Sequence, residues 1–352
     1  MKIIEHKIIF KQKGIYASFP ILKYIDNQLT IGFFKAPKID HCGLFEWAEG
    51  NYYDKDSRIN YLNEYRYAEN PRQNSDTFIY GDKAIGATAF NKYKREGKKD
   101  LEKVGIKTFE VGYILYALSS KLFFKRMLDS EAIKKTIAIP NVKYILTFPR
   151  VLKCNDLILV PAYTLTDDNK HQCFLIRSED DGFSWNFYNM FPSNIDGNEM
   201  AFIDIDDKLY CMIRNEKNPY LMESWSYDKG LTWTYPVYTN INGTPPHLLK
   251  LKDGRILLTY GYRYDAMGIR AKVSKIIFRN EIAWSEEFIL RDDSGYPSEF
   301  HKKKKDIKND NGAMHVGYPV SVQLNNGNIL TAYYITCKDR ITHIATTEWS
   351  IE

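Results

Sequence analysis

The sequence lacks several features that mark common protein classes. The odd number of cysteines and the absence of a Cys-x-x-Cys pair indicate neither a disulfide framework nor a zinc site. The five are Cys42, Cys154, Cys173, Cys211 and Cys337. No apolar run reaches the about 18 residues of a membrane-spanning helix, and residues 1–13 lack the apolar core of a signal peptide. We therefore expect a soluble protein made in the cytoplasm, with secretion open only if a leader was removed.

Charge and short motifs exclude further classes. The 49 basic and 44 acidic residues give a net charge of only +5, too small a surplus to indicate a nucleic-acid partner. No glycine-rich phosphate loop occurs, and no His, Cys or carboxylate group has metal-ligand spacing. We therefore predict no cofactor and no metal. Helical patterns are limited to Lys98–Val104 and Ser130–Lys135, while 26 tyrosines and 19 phenylalanines favour strands.

One pattern recurs along the chain. A residue pair is followed, six residues after its second member, by an Asp or Asn turn that lies between two apolar runs. The five aligned copies are Phe19-Pro20 with Asp26-Asn27, Phe148-Pro149 with Asn155-Asp156, Glu199-Met200 with Asp206-Asp207, Pro246-His247 with Asp253-Gly254, and Tyr318-Pro319 with Asn325-Asn326. A weaker sixth copy is Asp76-Thr77 with Gly81-Asp82. Each copy is typical of an antiparallel hairpin.

Six such units predict an all-β protein, a single six-bladed β-propeller domain over residues 1–352, because repeated hairpins with outer strands form radial blades. The blades are expected to begin near residues 18, 76, 147, 198, 245 and 317. Residues 295–312, rich in lysine, interrupt the repeat and are expected to form a protruding polar loop.

Two further segments identify the kind of propeller. They read Ser-Glu-Asp-Asp-Gly-Phe-Ser-Trp at 178–185 and Ser-Tyr-Asp-Lys-Gly-Leu-Thr-Trp at 226–233. Both resemble the Asp-box, Ser-x-Asp-x-Gly-x-Thr/Ser-Trp, of sialidases and related BNR-repeat propellers. An Asp-box is structural: its Ser and Asp bond the turn backbone and its Trp packs the turn onto the blade. We expect both turns on outer strands.

The resemblance to the sialidase superfamily implies a tyrosine nucleophile partnered by a glutamate, an aspartate acid/base, and arginines that bind the carboxylate of the substrate. Sialidases are exceptions to the two-carboxylate glycosidases. The resemblance implies Tyr318 as nucleophile, Glu199 as its partner, and Arg214, fifteen residues after Glu199, as an arginine of the clamp. Glu199 and Tyr318 also share one column of the repeat, which predicts that both lie at one end of the channel.

The remaining site residues follow the same resemblance. Asp40 is the expected acid/base, and His41 lies beside it. Arg270 is the better match for the third arginine, with Arg263 as the alternative, and His247 occupies the column of Pro20 and Pro149. The first arginine of the clamp is replaced by Ser18. Tyr296, in a second Gly-Tyr-Pro triplet, is the alternative nucleophile.

The sequence thus predicts a sialidase-like exo-glycosidase, a hydrolase that removes a terminal acidic sugar, sialic-acid-like or another 3-deoxy-ulosonic acid, from a glycan. The missing arginine keeps open a glycan-binding propeller without catalysis. A lyase or hydrolase of other specificity, using His41 or His247, is a third possibility on the same scaffold. The expected partner in each case is carbohydrate, and no oligomeric state is indicated.

Overall fold

The computed structural model describes the chain in fifteen segments. They are residues 1–25, 28–36, 46–51, 77–80, 84–94, 108–111, 114–127, 132–138, 146–147, 152–166, 170–180, 183–264, 266–278, 281–295 and 316–351. All regular structure within these segments is antiparallel β-sheet. The predicted all-β class is therefore confirmed. The part of the chain so described contains no helix of a length and hydrophobicity that would cross a membrane.

Twenty-six strands make up these segments. The first nine are β1 (Lys2–Phe10), β2 (Tyr16–Ile25), β3 (Gln28–Ala36), β4 (Glu46–Asn51), β5 (Thr77–Tyr80), β6 (Ala84–Lys94), β7 (Thr108–Val111), β8 (Ile114–Met127) and β9 (Ala132–Ala138). Next come β10 (Leu146–Thr147), β11 (Leu152–Cys154), β12 (Leu157–Leu165), β13 (His171–Ser178), β14 (Asn186–Asn189), β15 (Gly197–Ile205), β16 (Lys208–Asn215), β17 (Tyr220–Ser226) and β18 (Val237–Asn242). The last eight are β19 (Thr244–Lys250), β20 (Ile256–Tyr262), β21 (Gly268–Phe278), β22 (Glu281–Trp284), β23 (Phe288–Arg291), β24 (Val316–Gln323), β25 (Ile329–Thr336) and β26 (Thr342–Ser350).

The strands form six sheets in two compact units. Residues 1–67 and 243–352 form the first unit, with sheets β2-β3-β4, β19-β20-β21-β22 with β23 on β21, and β24-β25-β26-β1. Its last sheet therefore takes its fourth strand from the amino terminus. Residues 68–242 form the second unit, with sheets β5-β6-β8-β7 with β9 on β8, β10-β12-β13-β14 with β11 on β12, and β15-β16-β17-β18.

Each unit has its own apolar core, formed by alternating strand residues. In the first unit Trp349 and Tyr333 are fully buried among side chains of β20, β21 and β25. In the second, Leu175, Cys211 and Ile213 lie at the centre of the core. Burial raises the pKa of the Cys173 and Cys211 thiols, so these cysteines act as small apolar groups.

The recurring turns form hairpins, as the repeat predicts. Pairing joins β2 to β3, β5 to β6, β11 to β12, β15 to β16, β19 to β20 and β24 to β25 across the predicted positions. Ile205 pairs with Lys208 around Asp206 and Asp207, which have φ values of 49° and 64°. Two successive left-handed residues fit a two-residue turn whose twist matches that of the strands.

One helical expectation is wrong. Residues 132–135, within the predicted helix Ser130–Lys135, belong to β9 and pair with β8, for example Ile133 with Arg126. Alanine and lysine favour a helix, but pairing with a long partner strand outweighs this local propensity. The other predicted helix, Lys98–Val104, lies outside the described residues.

The two Ser-x-Asp turns connect the last two strands of their sheets. In the second turn, Asp228 Oδ1 accepts bonds from Ser226 Oγ and the Thr232 backbone N–H, both at 2.8 Å. Trp233 Nε1 donates to the Gly230 carbonyl at 3.2 Å. In the first turn, Asp180 Oδ1 accepts from Ser184 N at 2.7 Å and Ser178 Oγ at 2.8 Å. Burial alone would raise the Asp180 pKa, but bonds from Ser184 and Ser178 lower it to about 2.

Candidate functional site

Three copies of the repeat share a β-bulge in the first strand of their sheet. Pairing jumps from Asn198 to Ala201 on β15 while it advances only from Arg214 to Met212 on β16. Glu199 and Met200 therefore oppose the single residue Ile213. The same irregularity sets Phe19 and Pro20 against Phe33, and Tyr318 and Pro319 against Tyr333. In these three copies, the residue pair that precedes the turn by six residues in the repeat is thus the pair of residues that forms the bulge.

The first residue of each bulge has a left-handed backbone. The φ values are 52° at Phe19, 40° at Glu199 and 51° at Tyr318. Side chains larger than glycine resist this conformation at a cost of about 1–2 kcal/mol per residue. Such conformations persist where the surrounding fold imposes them, and they concentrate at binding and catalytic sites. Phe19, Glu199 and Tyr318, which occupy the same position of the repeat, form what we call the bulge column. This column is the first structural indication of a site.

The copy that contains His247 is different. The register shift lies one residue earlier, between Thr244 and Pro246, after which Pro246 pairs with Tyr260 and His247 with Thr259. Proline cannot adopt a positive φ, so Pro246 cannot take the left-handed conformation of the other three copies. His247 is half-buried, and its Nδ1 lies 3.4 Å from the Ser321 backbone nitrogen.

In the second unit, the start of β15 carries a network around Glu199. Arg214 Nη1 donates to Glu199 Oε2, and Arg214 Nη2 lies 2.9 Å from Glu216 Oε1. Asn198 Nδ2 donates to that same Glu216 oxygen at 3.0 Å. The Glu199 side chain is only 8% exposed, against 20% for Arg214. Two residues that the sequence singled out for the site are therefore in contact, with Arg214 held between two carboxylates.

A histidine and an aspartate that the sequence did not single out extend this network. Asp196 Oδ1 accepts the His171 backbone N–H at 2.8 Å and lies 3.1 Å from His171 Nδ1. A carboxylate only accepts hydrogen bonds, so this contact needs a proton on Nδ1, and Nε2 is the acceptor of the ring in its neutral form. The Asp196 carbonyl accepts the Glu216 backbone N–H at 3.2 Å. We call Asp196, Asn198, Glu199, Arg214, Glu216 and His171 the Glu199 cluster.

In the first unit, Tyr318 lies among aromatic rings. Its ring stacks on Tyr334 with centroids 5.7 Å apart and meets the edge of Phe19 at 4.7 Å. Phe19 and Tyr318 are partly buried against the core of this unit. The bulges of β2 and β24 thus bring two left-handed residues into contact, which fixes the Tyr318 ring.

The two candidate third arginines differ in their surroundings. Arg263 Nε donates to the Val316 carbonyl at 3.1 Å, and a Cβ placed on Gly317 would lie 3.5 Å from Arg263 Nη2. Arg263 is thus next to the residue that precedes Tyr318. Arg270 is only 3% exposed. It donates to the carbonyls of Arg291 and Ala266, and lies 3.4 Å from Glu287 and over the Tyr262 ring.

A second Tyr–Glu–Arg arrangement, in the first unit, contrasts with the predicted pair. Tyr260 donates its hydroxyl to Glu287 at 2.5 Å, with Arg270 on the other side of that carboxylate. Tyr260 is fully buried, and this burial, together with the Glu287 charge, raises the Tyr260 pKa. A tyrosine so protected from ionisation and solvent is a structural group and not a nucleophile.

Several predicted features lie outside the described residues. They are Asp40 and His41, the alternative nucleophile Tyr296, and residues 296–312 of the polar insertion. Ser18, which replaces the first arginine, is described: it is fully buried, and its Oγ has no hydrogen-bond partner within the described segments.

The comparisons with known proteins agree with the hairpin repeat and the turns just described. Residues 132–331 match the family model described as "BNR repeat-like domain", which is more than half of the chain. The chain belongs to this family. No curated protein matches this BNR repeat-like protein significantly in sequence.

Solved structures of low identity share the fold. A Dyadobacter fermentans protein of unknown function has a TM-score of 0.75 at 19% identity, over 100% of this chain and 99% of that one. A Trypanosoma rangeli sialidase in complex with the inhibitor DANA has a TM-score of 0.61 at 14% identity, over 95% and 55%. The K499G mutant of NanB sialidase from Streptococcus pneumoniae gives 0.62 at 12%, over 98% and 70%. This BNR repeat-like protein thus has a sialidase-like fold and spans about half of the trypanosomal enzyme.

Proposed function

We propose that this BNR repeat-like protein is a glycoside hydrolase that removes a terminal sugar from a glycan. Tyr318 would act as the nucleophile, and Glu199 as the base that takes the tyrosine proton. The observation that carries the proposal is their common backbone: both occupy the bulge column of the repeat, in the same left-handed conformation. A fold that imposes this cost on a Tyr and a Glu holds two groups suited to one reaction.

The remaining roles follow from the resemblance to sialidases. Asp40 would protonate the leaving oxygen and then activate water. Arg214 would fix Glu199, and Arg263, beside the Tyr318 strand, would contact the ligand. Arg270, His41 and His247 stay as predicted ligand-binding residues. The acidic-sugar specificity that the resemblance implies depends on the arginines of the site.

The fold we propose for this activity is a single six-bladed propeller with two Asp-box turns. Support comes from the six separate sheets of the described segments and from the sialidase-like fold. Further support comes from the hydrogen bonds of Asp180 and Asp228, which are those an Asp-box would need. In that arrangement, equivalent bulges of successive blades line one end of the channel.

The test is Tyr318→Phe, assayed on a panel of aryl glycosides with one common leaving group. Loss of the hydroxyl should lower kcat by about 10³-fold or more, because no alternative nucleophile is provided, while the unfolding midpoint stays within error. Tyr260→Phe is the matched control, since it removes a different tyrosine hydroxyl, one bonded to Glu287, and should retain activity. Full activity of Tyr318→Phe would show that the tyrosine mechanism is wrong.

A second candidate is a glycan-binding protein without catalysis. It is favoured by Ser18 in place of an arginine and by the packing of Tyr318 between Phe19 and Tyr334, which makes the ring a stacking surface. It predicts that sugars bind to wild type and to Tyr318→Phe alike and that neither protein releases the aryl group. A lyase or a hydrolase of other specificity that uses His41 or His247 would instead lose turnover on substitution of the histidine.

A further inference from the structure

Of the four positions expected to supply an arginine for a ligand carboxylate, only Arg263, whose Nε donates to the Val316 carbonyl, is neither replaced nor held by a carboxylate of the described residues. The first of them is replaced by the buried Ser18. Arg214 bonds the carboxylates of Glu199 and Glu216 through two different nitrogens. Arg270 is buried and donates to backbone carbonyls. A carboxylate recognised by arginine needs a planar pair of N–H donors, and neither Arg214 nor Arg270 offers such a pair.

The charge of the Glu199 cluster also opposes an anionic ligand. Within the described residues, the three carboxylates of Asp196, Glu199 and Glu216 outnumber the one arginine of the cluster. Lys217, a described cation nearby, is exposed and directs its Nζ to the Asn194 carbonyl at 3.0 Å. Among these described groups, with Lys217 counted and His171 neutral, one negative charge remains. A carboxylate brought to this end of the sheet would be repelled.

The same groups suit hydroxyl groups. Carboxylate oxygens accept hydrogen bonds from sugar hydroxyls, and the guanidinium and the Asn198 amide donate to them. His171 contributes Nε2 as an acceptor, with its side chain 20% exposed. These groups can therefore bond a hydroxyl in either direction.

An unpartnered buried atom points to a ligand at this place. Asn198 is only 3% exposed. Its Oδ1 has no hydrogen-bond partner within the described segments, although its Nδ2 is bonded to Glu216. A buried acceptor left unsatisfied costs about 1–3 kcal/mol. It adjoins Glu199, whose left-handed backbone is a second cost borne at this position.

We propose that the Glu199 cluster binds a sugar through its hydroxyl groups, and that the terminal sugar this protein takes is neutral. This inference rests on the proposed action on glycans. It replaces the acidic sugar that the family resemblance implies with a sugar that has no carboxylate.

The first experiment compares matched aryl glycosides that differ only at one carbon. Glucose is set against glucuronic acid and galactose against galacturonic acid, with the sialic acid glycoside and those of fucose, rhamnose and N-acetylglucosamine alongside. We expect kcat/KM to be at least tenfold higher for the neutral member of a pair. Preference for the acidic members, or cleavage of the sialic acid glycoside alone, would overturn the inference and leave the glycosidase proposal intact.

The second experiment measures binding of the same free sugars by calorimetry, which does not depend on turnover. Neutral sugars that bind without any glycoside being cleaved would refute the hydrolase and keep this inference. Binding of the acidic sugars only, or of no sugar in the panel, would refute the inference.

Substitution then locates the binding. Glu216→Gln removes one negative charge and releases an Arg214 nitrogen, so the affinity for neutral sugars should fall about tenfold while that for glucuronate rises. Glu223→Gln, in the same sheet, makes the same charge change at a glutamate that accepts the Tyr210 hydroxyl and should alter neither affinity. If Glu216→Gln behaves like this control, the Glu199 cluster is not the sugar site.

Discussion

Replacing Arg214 by methionine would leave the Glu199 carboxylate buried without its cationic partner. Methionine has a comparable length and keeps much of the apolar packing of the arginine stem. The charge and the two bonded nitrogens are lost. Glu216 would lose the same partner, but its side chain is 29% exposed and water can replace the arginine.

The expected cost follows from these exposures. Removing one partner of a buried ion pair costs about 3–5 kcal/mol, and an exposed pair contributes about 0–1 kcal/mol. Because Arg214 is itself 20% exposed, the low end applies, and we expect a loss of about 3 kcal/mol. With an unfolding entropy of about 2.1 cal/mol/K per residue, the melting temperature of the whole chain would fall by about 4 °C.

The assay is urea unfolding of Arg214→Met, Glu199→Gln and the double variant. Glutamine at position 199 is uncharged, so it leaves no buried charge without a partner. The double variant should therefore regain about half of the unfolding free energy that Arg214→Met loses, and the effects of the two substitutions should be non-additive by more than about 1 kcal/mol. Arg255→Met is the matched control, because Arg255 pairs with Asp253 at 2.6 Å where both side chains are more than 40% exposed. Additive losses, or an Arg214→Met loss no larger than that of the control, would refute the buried pair.

Two further predictions concern the turns and a strand. Asp180→Asn should lower the unfolding free energy by about 1 kcal/mol near pH 6, because the bonds from Ser184 and Ser178 favour the charged carboxylate, and solvent at this largely exposed site reduces the effect. The folded-state pKa is lowered to about 2, so this contribution is present above the unfolded pKa and disappears as the pH falls to about 2. Urea unfolding at both pH values checks this, and an equal loss at both would contradict it. Gly268→Ala should cost at least about 2 kcal/mol by urea unfolding, since the new Cβ would lie 1.9 Å from the Arg291 carbonyl oxygen. Gly254→Ala, with a φ of 86° and open space around it, should cost only about 1 kcal/mol, and similar losses for the two would count against the steric argument.

The hairpins could be predicted because their signal is local. A turn residue such as Asp206 or Asn155, flanked by apolar runs, has one favourable pairing, and a constant six-residue offset marks it repeatedly. The bulge could not be predicted, because Phe19, Glu199 and Tyr318 are residues that avoid positive φ. Only their common position in the repeat distinguished these three residues from others of the same type, and a position in the repeat does not indicate the backbone conformation.

The site divides in the same way. Glu199 and Arg214 lie on the two strands of one hairpin, with Arg214 opposite Asn198, the neighbour of Glu199, so their spacing in the sequence placed them close together. His171 and Asp196 are 25 residues apart in the chain and come together through packing of neighbouring sheets, which no local pattern records. Glu216 had a usable signal, since it stands two residues after Arg214, directly beyond the end of β16. For Arg270, the resemblance to the family sequence identified the residue as a candidate, but it did not indicate that the side chain is buried.

The pairing of β1 with β26 has a consequence for how the chain is made. Lys2 is aligned with Ser350, so β1 pairs with a strand that the ribosome completes long after it. At about 5–20 residues per second, β1 would wait roughly 20 to 70 s for its partner, with its backbone N–H and C=O groups open to other strands. Lysine and glutamate side chains along β1 are placed to discourage wrong partners during that wait. The final sheet can form only after synthesis has reached β26, however early the other sheets fold.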